Sequence, residues 1–195
     1  MHQTRAPSQK AKAVVTWLVK LRDDPQNGNA VMAIFRRGLS ENAADQEQMM
    51  RYLHRYLSDD YRAQESGIFL IASLFALAKH APTDDEGDMG DHYAQTRTKS
   101  ASDEATEKRF SAILRAHQED LPIYLRRAIT YLKSCDIGIN WALLLDDVWA
   151  WGHPVKGEYV RRRWARNFWM QKQIASNPNS DELIQDDSND ESTED

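Results

Sequence analysis

N-W-A-L-L-L-D-D-V-W-A-W-G-H-P-V-K-G-E-Y-V-R-R-R-W-A-R-N-F-W-M-Q-K-Q-I-A, residues Asn140 to Ala175, organises this chain. Five of the six tryptophans and four arginines lie in it. Asn140 is a good N-cap, because its side-chain oxygen accepts from a free amide of the first turn. Trp141, Leu144, Leu145, Val148 and Trp149 recur at the three-to-four spacing of one helix face. Gly152 and Pro154 stop that helix. A second helix follows with Val160, Trp164 and Phe168 along one side. At about 100° per residue, Arg162 and Arg166 point the opposite way. The pattern predicts an aromatic anchor on one side of the last helix and a cationic stripe on the other. Trp141, Trp149 and Trp164 are packing residues. Trp151 and Trp169 stand at or beyond the edge of those faces, open to a protein partner, a base or neither.

Beyond this stretch, most of the chain reads as helix. Its 195 residues suit one domain with a tail, and only 8 Gly and 6 Pro interrupt it. The expected architecture is all-α: a single bundle-like domain of about seven to eight helices over residues 9–176, then an acidic disordered tail over 177–195. Ser8 caps a first helix with Val14, Trp17, Leu18 and Leu21 inward, closed by Asp24-Pro25. Val31, Ile34 and Phe35 mark a second helix. Ser40 or Asn42 caps a third, with Met49, Leu53, Tyr56 and Leu57 inward and Arg51 and Arg55 as a basic pair. The apolar run Gly67 to Ala78 is too short to span a bilayer and belongs to a central core helix. Residues 81–101 show no periodicity and are acidic first, so they read as a long surface loop, open to disorder. Phe110, Ile113 and Leu114 face inward from the next helix. Asp120 caps the one after, whose core is Leu125, Ala128, Ile129 and Leu132.

The formal net charge of −5 conceals segregation. Eight acids and no base lie between Asp181 and Asp195, and five more acids lie between Asp84 and Asp91. The remainder has 25 basic and 17 acidic side chains, a body near +8. Such a body suits a polyanion partner.

Catalytic and metal chemistry find little support. There is no phosphate-binding glycine loop, no G-x-S-x-G and no H-E-x-x-H. The six histidines are scattered, and the acidic stretch fails as a calcium loop because Gly87 and Met89 fall where oxygen ligands are needed. Asp146 and Asp147 are adjacent and read as outer-face charges rather than a catalytic pair. The single cysteine, Cys135, allows no internal disulfide, and the expected setting is the cytoplasm. No catalytic residue, cofactor, metal or membrane contact is expected.

Basic clusters remain. The candidates for gripping nucleic acid are Arg36, Arg37, Lys108, Arg109, Arg115, Arg126, Arg127, Arg161, Arg162, Arg163 and Arg166. Arginine grips phosphate through a forked geometry, and such contacts dominate affinity for nucleic-acid backbones. The alternative is a helical protein–protein adaptor whose arginine clusters bind acidic protein partners.

An ordered set of residues adds a resemblance. Lys108-Arg109-Phe110 is followed by Leu114, Leu125-Arg126-Arg127 and Leu132. Then come Asn140-Trp141, Leu144-Leu145, Trp149, Trp151, Val160, Trp164 and Phe168. Upstream, Trp17 to Leu21, Asn27-Gly28 and Arg36-Arg37-Gly38 match more weakly. Over about residues 12–170 this set resembles the small subunit of Cascade, the type I-E CRISPR-associated complex (the CasB family). Asn140 stands where that family commonly has Asp, and neither acidic stretch has a counterpart. The resemblance implies an all-helical, non-catalytic subunit of a guide-RNA ribonucleoprotein in antiviral defence. It implies head-to-tail self-association and packing between a repeated backbone subunit and a large subunit. Its implied work is to hold the guide RNA–target DNA hybrid through the backbone and to keep the displaced strand apart, while base pairing reads the sequence.

Overall fold

In the computed structural model, residues 5–39, 42–56, 62–81, 83–84, 86–99 and 102–176 are described. The tail expected over 177–195 lies outside them, as do Ser40 and Leu57. Among the described residues the fold is all-α. Its helices are α1 (Gln9–Arg22), α2 (Gly28–Arg37), α3 (Ala43–Leu53), α4 (Arg62–Leu77), α5 (Met89–Gln95), α6 (Asp103–Leu114), α7 (Leu121–Ser134), α8 (Trp141–Trp151) and α9 (Pro154–Ser176). Short 3-10 turns follow α3 and α5, and one isolated parallel bridge joins Thr83 to Ile139.

Local chemistry accounts for most helix ends. The side chains of Ser8, Asn42, Ser102 and Asn140 each accept from an amide of the first turn they cap. Asp120 occupies the N-cap of α7 without a side-chain bond, while Pro122 sits in the first turn, where its missing N–H costs nothing. Gly152 closes α8, and Pro154 opens α9 as its first residue.

Helix α4 is the centre, with Ile68, Ile71, Ala72, Leu74, Phe75 and Ala76 buried. It packs against α1, α2, α7 and α8, and Phe75 meets the edge of Trp141 at 5.5 Å. Helix α9 lies between α5 and α8. Val160, Trp164 and Phe168 are fully buried there, each contributing roughly 2–3 kcal/mol by leaving water.

Three expectations are corrected. The stretch 81–101 is not a surface loop throughout: it contains α5, and Asp88, Met89, Asp91, His92, Tyr93 and Ala94 are buried. Asp88 and Asp91 form a capping box that starts this seven-residue helix. Gly90 faces α9 so closely that a Cβ would lie 2.1 Å from the Trp164 carbonyl oxygen. Since Asp88 and Asp91 are inside the fold, a value near +8 overstates the body's positive excess. Second, Asp146 and Asp147 are buried, not outer-face charges. Asp146 accepts from the Ser8 backbone N–H and the Ser8 hydroxyl, both at 2.6 Å, and so ties α8 to the start of α1. Third, Trp151 is buried, and its indole N–H donates to the Ala116 carbonyl at 3.1 Å. Trp169 and Trp149 are half-buried.

His92 gives the fold a pH signature. It is buried, and its Nε2 accepts from the Asn140 backbone N–H at 3.1 Å, which leaves the proton on Nδ1, 3.7 Å from Asp84. Burial holds its pKa below the ordinary 6.5, outweighing the pull of Asp84, Asp88 and Asp91. Below pH 6.5 the unfolded chain therefore takes up a proton that the folded chain refuses, and this group subtracts stability. His92→Gln keeps an acceptor but cannot titrate. The difference in urea midpoint, His92→Gln minus wild type, should grow as pH falls from about 7 to about 5. Parallel curves would show that His92 does not set the slope.

Candidate nucleic-acid interface

The structure sorts the eleven basic candidates by what surrounds them. Arg163 leaves the set. It is only 4% exposed and pairs with Asp88 at 2.8 Å and closely with Asp147. Asp147 also accepts from the Trp164 indole N–H at 2.7 Å, and Asn167 donates to Asp88 and Asp91. This network joins α5, α8 and α9. Burial raises the Asp147 carboxyl to about 6 against the pull of Arg163, and burial likewise opposes charge on Arg163, but the two carboxylates prevail and hold it charged. A guanidinium enclosed this way is a structural tie and cannot reach a phosphate.

Other candidates are exposed but engaged. Arg162 pairs with Glu158 at 2.5 Å, and Arg37 with Asp45 at 3.3 Å. Arg161 is half-buried, lies over the Trp151 ring at 4.3 Å and donates to the Ala116 carbonyl. It ties α9 to the end of α8 and to the segment just after α6. Arg36, Lys108, Arg115 and Arg166 are exposed, on α2, on α6, just after α6 and on α9 respectively.

Arg109, Arg126 and Arg127 are brought together. They line a groove of about 900 Å³ between α6 and α7, and none has a carboxylate within ion-pair distance among the described residues. Tyr93, Tyr124 and Tyr131 line the same groove. Arg109 lies over the Tyr131 ring at 5.0 Å, which orients the guanidinium while leaving its donors available. Tyr93 is buried beneath, in ring contact with Tyr131 at 5.8 Å and Phe110 at 5.2 Å. Burial pushes the Tyr93 phenol up to about 12, so the groove gains no negative charge from it at neutral pH. Three guanidiniums beside tyrosine rings, one of them over a ring face, suit a phosphate backbone with bases nearby.

The arginines of this groove are legible in the sequence, but its tyrosines do not stand out there. A signal is present all the same: Tyr124, Arg127 and Tyr131 recur at helical spacing on one side of α7. The sequence reading also passes over a second, smaller groove. Lys12, Lys20 and Arg55 line it with Trp17 and Tyr56, and Arg55 lies over Trp17 at 5.9 Å. Arg36 and Arg37 line neither groove. Among the described residues, no group of three or more His, Cys, Asp or Glu is placed to hold a metal ion, and no helix is long and apolar enough to cross a membrane.

Comparison with known proteins is consistent along the chain. The model of the CRISPR-associated protein Cse2 family matches residues 31–169. The chain is 31% identical over 156 residues to a CRISPR-associated protein Cse2 of Thermus thermophilus, covering 78% of this chain and 86% of that one. A Cse2-family crystal structure from Thermus thermophilus superposes with a TM-score of 0.70 at 27% identity, covering 82% of this chain and 97% of that one. A chain of a CRISPR RNA-guided surveillance complex shares the fold, with a TM-score of 0.73 at 24% identity, covering 87% of this chain and 97% of that one. This chain belongs to the Cse2 (CasB) family of CRISPR-associated proteins.

Proposed function

We propose that this protein is a non-catalytic small subunit of a CRISPR guide-RNA surveillance complex. Its work is to grip nucleic-acid backbone, stabilising the guide RNA–target DNA hybrid and the displaced strand. The observation that carries the reading is the α6–α7 groove, lined by Arg109, Arg126 and Arg127 together with tyrosines, where Arg109 lies over Tyr131 and none of the three has a carboxylate partner among the described residues. Family membership supplies the setting, and a structural neighbour is a chain of an RNA-guided surveillance complex. The partners in this reading are guide RNA, target DNA, a repeated backbone subunit, a large subunit and further copies of this chain. Base pairing would carry sequence recognition, so the protein needs only contacts blind to sequence.

The test is a binding titration of the full chain against single strands and RNA–DNA hybrids at several salt concentrations. Affinity should be independent of sequence and fall steeply with salt, as bound cations displace counterions. Binding without salt dependence, or none at low salt even with the partner subunits present, contradicts the reading. Binding to acidic proteins in place of nucleic acid would favour the adaptor alternative.

A further inference from the structure

We infer that the acidic segment 177–195 of this chain occupies the α6–α7 groove when nucleic acid is absent, as an internal substitute for the phosphate backbone. This inference rests on the reading of that groove as a backbone-gripping surface. Three observations lead to it.

The first is charge. Arg109, Arg126 and Arg127 present guanidiniums to the groove without carboxylate partners among the described residues. Between Asp181 and Asp195 the chain carries eight acids and no base. Arginine forks accept carboxylates in the same bidentate geometry they offer to phosphate.

The second is where α9 delivers the chain. The later turns of α9 pack beside the groove: Trp169 meets Phe110 at 6.1 Å, and Phe110 meets Tyr93, a groove-lining residue, at 5.2 Å. Phe168 also contacts Tyr93, at 6.3 Å. Helix α9 ends at Ser176, seven residues beyond Trp169, or about 10 Å at 1.5 Å per residue.

The third is reach. From those ring contacts and the last turns of α9, the groove lies within roughly 30 Å of Ser176. Nineteen residues follow Ser176, and that length of chain spans up to about 60 Å. The segment is therefore long enough to bring its acids to the groove. The function of such a contact is selectivity. A short or weakly held anion has to displace the segment, whereas a long backbone with many phosphates succeeds. A segment at about 1 mM effective concentration, held with a Kd near 100 µM, weakens competing binding about tenfold.

The experiment uses the full chain and a variant in which the eight acids between Asp181 and Asp195 are replaced by their amides. Without nucleic acid, the side-chain Nε–H signals of Arg109, Arg126 and Arg127 are compared by NMR. They should differ between the two proteins while the signal of Arg36 does not. In a parallel titration at low salt, the variant should bind a single strand of about 20 nucleotides about tenfold more tightly. Groove signals identical in the two proteins overturn the inference, whatever the nucleic-acid affinity does. Groove signals that depend on protein concentration instead assign the groove to a second copy and also overturn it. Groove signals that shift while neither protein binds nucleic acid leave the segment in the groove and refute the backbone-gripping reading.

Discussion

Arg163→Met will destabilise the protein by about 3–5 kcal/mol at pH 7, the cost of removing one partner from a buried charge cluster. The substitution preserves apolar bulk, so the loss comes from two buried carboxylates, Asp88 and Asp147, that keep their cost of burial and lose their counter-charge. For a domain of this size the melting temperature should fall by about 10 °C. The sign of the pH effect follows from Asp147. Its carboxyl is raised to about 6 from the ordinary 3.8, so its own contribution favours the fold most below about pH 4 and is lost as pH climbs through 6. At about pH 5 the carboxyl in the variant can take a proton in place of standing charged and alone. The penalty measured by urea titration should therefore be smaller at about pH 5 than at about pH 7. A loss under about 1 kcal/mol at pH 7 would show that the α5–α8–α9 network is not what holds those helices together.

The second large effect concerns binding. Replacing Arg109, Arg126 and Arg127 together by glutamine should leave the melting temperature within a few degrees, because exposed side chains outside ion pairs contribute little to stability. Affinity for a nucleic-acid single strand should drop at least about tenfold at low salt. The slope of log affinity against log salt should shrink by about 2, near 0.7 for each phosphate no longer gripped. Unchanged affinity with an unchanged fold would remove the groove from the interface.

The aromatic register of the last two helices is readable from spacing alone. Val160, Trp164 and Phe168 lie on the buried side of α9, and Asn140 caps α8, because both follow from local periodicity and turn chemistry. Arg163 defeats a local reading for a tertiary reason. Helix α9 is packed on two sides, by α5 and by α8, so its buried face is wider than one stripe and takes in Arg163 and Asn167. The carboxylate that neutralises Arg163 from the start of α5 lies 75 residues earlier, beyond the reach of any local pattern. Helix α5 itself has seven residues, too few to show a helical period, and its acids read as solvated until their partners are in place. At the groove the arginines are visible as a class, but sequence alone does not rank them. Enclosure of Arg163, the Arg162–Glu158 pair and the stacking of Arg161 on Trp151 separate structural arginines from those able to meet a phosphate.

We propose the α6–α7 groove, rather than the outer stripe of α9, as the surface that grips the backbone. It is tested most directly by measuring the salt dependence of single-strand binding for two charge-matched variants side by side. One is Arg109→Gln/Arg126→Gln/Arg127→Gln, and the other is Arg161→Gln/Arg162→Gln/Arg166→Gln. The slope should shrink by about 2 in the first and by less than about 1 in the second. A slope preserved in the first and reduced in the second would contradict it.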